Sequence, residues 1–487
     1  MPDRDPYILD PAAVAEPPSD LLGMLKYIGP GFILSASIVG SGELIATTLV
    51  GAKAGFILLW FIIFSCLVKV VVQLEFGKHA ISSGESTMQS LNSLPGPRIG
   101  KANWSIWTWL LLMMAKMLQV GGIVGGVVMA LALFFPALQS GIYEAIAAYA
   151  VAASVSLLIY NGYYQLIEKS SLIMIGGFTL FTLASLVAVQ TTDMAITGPE
   201  LVGGLVPSIP AETILIVTAI GAFGITGVGG DEIMAYNYWL IEKGYAAYTG
   251  PNDGTDDKAW QRRAKGWIRI MYWDAILAMI AYTAMTTMFY LLGAAILNRQ
   301  GLVPEDKELI SVLGNMYTDS LGPWAKSVFT VGAIVVLYST LFAALAAWTR
   351  LFSDALGRIG LYEFSDRPSR TRAIAILAWI IPAGWATLFL VWNDPSWMVI
   401  VGGLSTVVIL LIVDFAAIYF RYRRLDKSLL PSRVYDLALW LSSIAILAVA
   451  GWLAYKKVYE PIFQIKTTPA ASNPAAVPES PSEQRAE

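Results

Sequence analysis

Apolar runs of about twenty residues, each closed by a short polar segment, recur from residue 29 to residue 455. A helix rises about 1.5 Å per residue, so each run is long enough to cross a hydrocarbon core of ~30 Å. The pattern predicts eleven spans, at 29–52, 56–76, 107–134, 142–160, 171–190, 212–241, 270–297, 327–348, 374–392, 396–420 and 434–455. The fold class expected from this is an all-α integral membrane protein. Residues 1–28 read as an N-terminal tail, polar and proline-containing over 1–20 and expected to be disordered there. Residues 456–487, rich in Pro, Ala, Ser and Glu, read as a disordered C-terminal tail. No basic segment leads into a short apolar core near the start, so no cleavable signal peptide is expected and the first run is kept as a span.

Two spans are interrupted at their centres. The first carries Gly40-Ser41-Gly42-Glu43, and the sixth carries Thr226-Gly227-Val228-Gly229-Gly230-Asp231-Glu232. Each glycine weakens a helix by about 1 kcal/mol, and a carboxylate at mid-membrane costs ~2.5 kcal/mol or more. Such a segment is tolerated only where it is buried in protein or lines a cavity. The offset of five spans is odd, so 29–190 and 212–420 run through the membrane in opposite senses, with 434–455 as an addition. Paired glycine-interrupted helices in inverted halves mark a midplane binding site. Glu43 and Glu232 hold equivalent places in their halves and are expected across one cavity.

Charge sharpens the topology. Charged residues make up 14% of the chain, against about 25% in soluble domains. With the N-terminus inside, twenty Lys and Arg fall on the inside loops and four outside (Lys53, Arg299, Lys307 and Lys326). This predicts a multi-pass protein of the plasma or inner membrane, N-terminus cytoplasmic and C-terminus outside. The single cysteine, Cys66, excludes an intrachain disulfide, and the single histidine, His79, excludes a multi-histidine metal site. Basic residues form no concentrated patch, so no nucleic-acid partner is expected. No nucleophile constellation or cofactor motif points to an enzyme. The expected partners are the lipid bilayer and a transported cation or small solute, with the chain a monomer and no cofactor.

Gly29-Pro30-Gly31-Phe32, Gly51-Ala52-Lys53-Ala54-Gly55 and Leu58-Leu59-Trp60 resemble the first helix of the NRAMP divalent-metal transporters. Gly162 to Lys169, before the fifth span, and Gly204 to Pro210, before the sixth, are similar to the same family. The likeness is ungapped over the first span, keeps its spacing to about the eighth, and weakens over the last three. It implies a LeuT-type fold with inverted five-helix repeats, unwound centres in helices one and six, and alternating access. It also locates departures. The family's Asp-Pro-Gly-Asn falls on Gly40-Ser41-Gly42-Glu43, and its Met-Pro-His-Asn on Gly229-Gly230-Asp231-Glu232. The family's proton route uses carboxylates in helix three, where this chain has none between Trp104 and Pro136; Lys116 and Gln119 are the strongly polar side chains there. In this it is similar to relatives described as magnesium transporters.

Glu43, Asp231 and Glu232, with the hydroxyls of Ser37, Ser41 and Thr226 and the backbone of Gly40, Gly227 and Gly229, make an all-oxygen set. Such a set suits hard cations, Mg²⁺ or Mn²⁺ above all, and the lost thioether removes the soft ligand. Each glutamate could instead cap the half-helix after it, although capping does not explain why both breaks exist. A buried carboxylate is also a candidate proton carrier, and the residues leave metal ligation and proton binding both open. Lys116, Gln119 and Asp414 are candidates for coupling or gating, and Ser405 and Thr406 for a contribution from helix ten. Lys69 and Glu75 read as snorkelling or paired side chains, Asp274 as interfacial, and Trp104, Trp107, Trp109, Trp267 and Trp273 as an interfacial belt. Gly121-Gly122 and Gly125-Gly126 read as close helix packing. The leading expectation is a secondary transporter of a divalent cation. The alternative is a transporter of an organic or amine-like solute coupled to H⁺ or Na⁺, favoured by the roomy glycine-rich centre.

Overall fold

A computed structural model describes residues 5–139, 141–160, 164–252, 257–304 and 308–456. The chain is helical almost throughout. After α1 (Pro30–Ile38) comes a π-helical stretch, Val39–Thr47, then α2 (Thr48–Ala54), α3 (Leu59–Ser83), α4 (Trp104–Ala132), α5 (Gly141–Tyr160) and α6 (Tyr164–Val189). The second half holds α7 (Thr213–Ile225), α8 (Gly230–Lys243), α9 (Asp257–Leu292), α10 (Leu309–Leu321), α11 (Trp324–Ile359), α12 (Arg367–Trp392), α13 (Pro395–Arg423) and α14 (Arg433–Ala454). Among the described residues, nine helices are long and apolar enough to cross a membrane, counting α7 and α8 together. The first predicted span is split into α1, the π-helical stretch and α2. The helix α10 was not foreseen; it lies in the connection between two predicted spans. The expected tail 456–487 lies outside the described residues beyond Lys456, as does the start of the Gly162–Lys169 segment.

Packing brings the two interrupted spans to the middle of the protein. α4 runs against α13 and α11, α7 against α13, and α3 against α8 and α9. The α7–α13 contact is backbone on backbone. A Cβ on Gly403 would overlap the carbonyl of Gly221, and one on Gly224 would overlap the carbonyl of Gly403. Small residues allow this close approach where apolar burial gives helices no preference for one another over lipid. Gly121, Gly122 and Gly125 pack in the same way against α12 and α13, touching Met398, Val399 and Phe389.

Three expectations need correction here. Asp274 is not interfacial: α9 begins at Asp257, which places Asp274 inside the helix and fully buried. Its Oδ1 accepts from the Gly29 N–H at 2.8 Å, and its Oδ2 from the Gly31 N–H at 2.7 Å and the Tyr236 hydroxyl at 2.9 Å. A distant aspartate therefore satisfies amides at the start of α1 that have no partner within the helix. Residues 5–20 are not a free tail. Tyr7 donates to Glu242 (2.6 Å), Arg370 to Asp5 (2.7 Å) and the Trp267 indole to the Ala15 carbonyl (3.0 Å). Trp109 and Trp267 are fully buried rather than part of a belt, whereas Trp107 and Trp273 are exposed.

Replacing Gly403 with valine forces α7 and α13 apart. Overpacking of this kind costs about 1–3 kcal/mol, so the variant should unfold several degrees below wild type in detergent. An unchanged melting temperature would refute the backbone contact.

Candidate functional site

The second interruption is a true break. α7 ends at Ile225, Thr226 is extended (φ −74, ψ 140), and α8 restarts at Gly230. Gly227 has φ +62, a left-handed conformation in which a Cβ would sit 3.0 Å from Cys66 Cα and 3.1 Å from the Tyr282 ring. The break leaves carbonyls at the end of α7 without helical partners. Lys69 takes them. Its ammonium donates to the Phe223 carbonyl at 2.6 Å and to the Thr226 carbonyl, and it lies 4.9 Å from the centre of the Phe223 ring. The Thr226 hydroxyl bonds to Ser65 at 2.6 Å. Lys69 is fully buried near the middle of α3, so it does not snorkel.

The first interruption takes another form. Val39–Thr47 stays helical but opens into wider π turns, where the expectation was an unwound centre. Glu43, fully buried on this stretch, accepts from the Gly227 N–H at 3.1 Å and the Thr47 hydroxyl at 3.2 Å. A Cβ on Gly42 would come 2.6 Å from the Ile225 carbonyl. The absent side chain is what lets the two interruptions touch. The side chains of Ser37 and Ser41, with Gly40, lie outside the described residues.

Asp231 and Glu232 open α8. Asp231 is 3% exposed and is bound by the Lys116 ammonium and, at 3.0 Å, by the Trp348 indole N–H. Glu232 Oε2 lies 3.5 Å from Lys116 Nζ and makes no hydrogen bond to the described residues. Gly229 is extended, and a Cβ there would overlap the Glu232 carboxylate. Both acids line a cavity of about 10 Å³ with Ile33, Leu34, Ala344 and Trp348, roughly the space of one water molecule. Glu43 does not line it. The single cavity expected between Glu43 and Glu232 is thus divided, and no group of three metal-binding side chains forms among the described residues.

The remaining candidates fall as follows. Lys116 is the cation of the Asp231–Glu232 pair. Gln119 is buried on α4, with its backbone and Cβ against Gly402. Asp414 accepts from the Ser443 hydroxyl at 2.7 Å and ties α13 to α14. Thr406 touches the position of Gly229 through its methyl group, while its hydroxyl and that of Ser405 bond to the Gly402 carbonyl. The sequence reading missed Lys69 and Trp348 as members of the site. The signal for Lys69 was a lysine too far from either end of its span to reach an interface.

Residues 31–456 match the family described as natural resistance-associated macrophage protein-like, or Nramp. The chain belongs to the Nramp family. An uncharacterized protein of Pasteurella multocida is 24% identical over 88% of this chain and 93% of its own length. The divalent metal cation transporter MntH of Bacillus subtilis is 24% identical over 64% of this chain and 67% of its own. A mutant manganese transporter from Eremococcus coleocola superposes with a TM-score of 0.61 at 15% identity, covering 94% of this chain and 92% of that one. MhsT in complex with L-phenylalanine gives 0.53 at 17% identity, covering 89% and 99%. These likenesses establish the LeuT-type fold with its inverted repeats.

Removing one partner of a buried ion pair costs about 3–5 kcal/mol, because the other charge is stranded. Lys116→Met should therefore lower the melting temperature strongly, and the double variant Lys116→Met/Asp231→Asn should recover most of the loss. No recovery in the double variant would show that Lys116 does not act through Asp231.

Proposed function

We propose that this Nramp protein is a secondary transporter that carries a divalent metal cation across a cell membrane by alternating access. Mg²⁺ and Mn²⁺ are the ions that fit best. The observation that carries this reading is the meeting of the two interrupted helices, where Glu43 of one caps the break of the other and Asp231 and Glu232 open the half-helix beyond it. The names of the relatives, a divalent metal cation transporter and a manganese transporter, support the class of cargo. The donor atoms favour hard ions, since oxygen ligands without sulfur or imidazole suit Mg²⁺ and Mn²⁺. The space beside Asp231 and Glu232, about 10 Å³, holds an ion or a water and excludes an organic solute in this conformation.

A cation reaching Asp231 and Glu232 competes with the Lys116 ammonium for their oxygens. We read Glu232 Oε2, which lacks a hydrogen bond, as the first ligand, with Asp231 joining as Lys116 shifts. Glu43 then follows from the other side as the two segments move together. The lopsided lysine and arginine count supports a cytoplasmic N-terminus. A second reading, an amine-like solute, rests on one fact: the acids and carbonyls of this site already receive two primary ammonium groups, Lys116 and Lys69.

Uptake of Mn²⁺ and Mg²⁺ into proteoliposomes decides between them. Wild type should take up both, and Glu43→Gln or Glu232→Gln should each reduce uptake about tenfold to a hundredfold, the scale of one charged ligand lost. Uptake of alkylammonium solutes without divalent flux would support the second reading. Unchanged divalent flux in both glutamine variants would remove these carboxylates from the pathway.

A further inference from the structure

A large cavity bordered by acidic side chains lies away from the central site, at the end of the protein poor in lysine and arginine. The end of α4, the turn after it, the first turn of α5 and the start of α10 enclose about 490 Å³. Two carboxylates line it, Glu144 on α5 and Glu308 just before α10, with the amide and hydroxyl oxygens of Gln139, Ser311 and Asn315. No lysine or arginine is among the described residues that line it. Glu144 is 7% exposed, and no described residue gives it a hydrogen bond or an ion pair. Its place in the first turn of α5 favours a negative charge through the helix dipole, but a buried carboxylate still calls for a direct partner.

The contents of the cavity name that partner. Two carboxylates and three neutral oxygen groups, with no imidazole and the single thioether of Met129, are chiefly a hard-cation environment. Two carboxylates are too few to strip such an ion, so it would keep most of its water. Six waters at roughly 30 Å³ each need about 180 Å³, well inside the volume present. We propose that this cavity binds a hydrated divalent cation, held by Glu144 and Glu308 and by the oxygens of Gln139, Ser311 and Asn315. It shares no residue with the central site. Its use as a loading station rests on the transport reading; the binding does not.

Titration of the purified full-length protein with Mn²⁺, followed by loss of the free-ion magnetic resonance signal, tests the site directly. Glu144→Gln/Glu308→Gln should bind fewer ions than wild type. A Glu43→Gln/Asp231→Asn/Glu232→Gln variant should keep the ion that the first variant loses. A melting series guards against misfolding: Glu144→Gln should not lower the melting temperature without metal, and should shrink the rise that Mn²⁺ produces. If the central variant binds while wild type carries no divalent flux, the transport reading fails and this site stands. Unchanged Mn²⁺ binding in Glu144→Gln/Glu308→Gln, or a lowered metal-free melting temperature in Glu144→Gln, would overturn the proposal.

Discussion

Charge compensation in a low-dielectric interior sets the terms for this protein. The interrupted helices place Glu43, Asp231 and Glu232 where water is scarce, and an isolated buried carboxylate is too costly to keep. Two lysines answer them. Lys116 binds Asp231 and reaches Glu232, while Lys69 holds the carbonyls at the end of α7. Without Lys69 the broken end of α7 would expose carbonyls to a dry interior. Without Lys116 two acids would begin α8 with only an indole N–H between them. The glycines open the helices, and the lysines make the opening tolerable.

The two breaks are solved by different chemistry, because their neighbours differ. α7 abuts α13 through Gly221, Gly224 and Gly403, which fixes its end firmly, and Gly227 then turns the chain in a conformation that side chains rarely adopt. The first interruption stays helical in π turns, which keep their own hydrogen bonds. Glu43 joins the two by accepting the Gly227 amide. Motion of one segment therefore changes the hydrogen bonding of the other. That is a physical basis for coupling the inverted halves.

Much of the fold was legible because it depends on side-chain pattern. Apolar runs marked the spans, and glycine with carboxylate marked both interruptions. What escaped depends on backbone atoms, which carry no residue identity. Lys69 and Asp274 both bind main-chain groups, carbonyls in one case and amides in the other, at positions distant in sequence. Read alone, Asp274 was a charge near the start of an apolar run and Lys69 an ambiguous charge inside one. The proline-containing start reads as disordered for the same reason: Asp5, Tyr7 and Ala15 find partners on α12, α8 and α9, elements that share no pattern with them. The division of the expected cavity was also hidden, since the spacing of Glu43 and Glu232 says where each lies along its helix and not which way it turns.

Formal charge offers a reason for the ammonium groups that stability alone does not. With every group ionised, three carboxylates and two lysines sum to minus one. A divalent cation entering with both lysines retained brings the site to plus one, reversing the sign while keeping the magnitude. The cost of holding net charge in a poor dielectric grows with the square of that charge, so the empty and loaded states bear comparable penalties. Three carboxylates alone would move from minus three to minus one on loading, and would hold the ion too tightly to release it. The alternating access proposed for this site needs both states within reach, and the buried lysines bring them there.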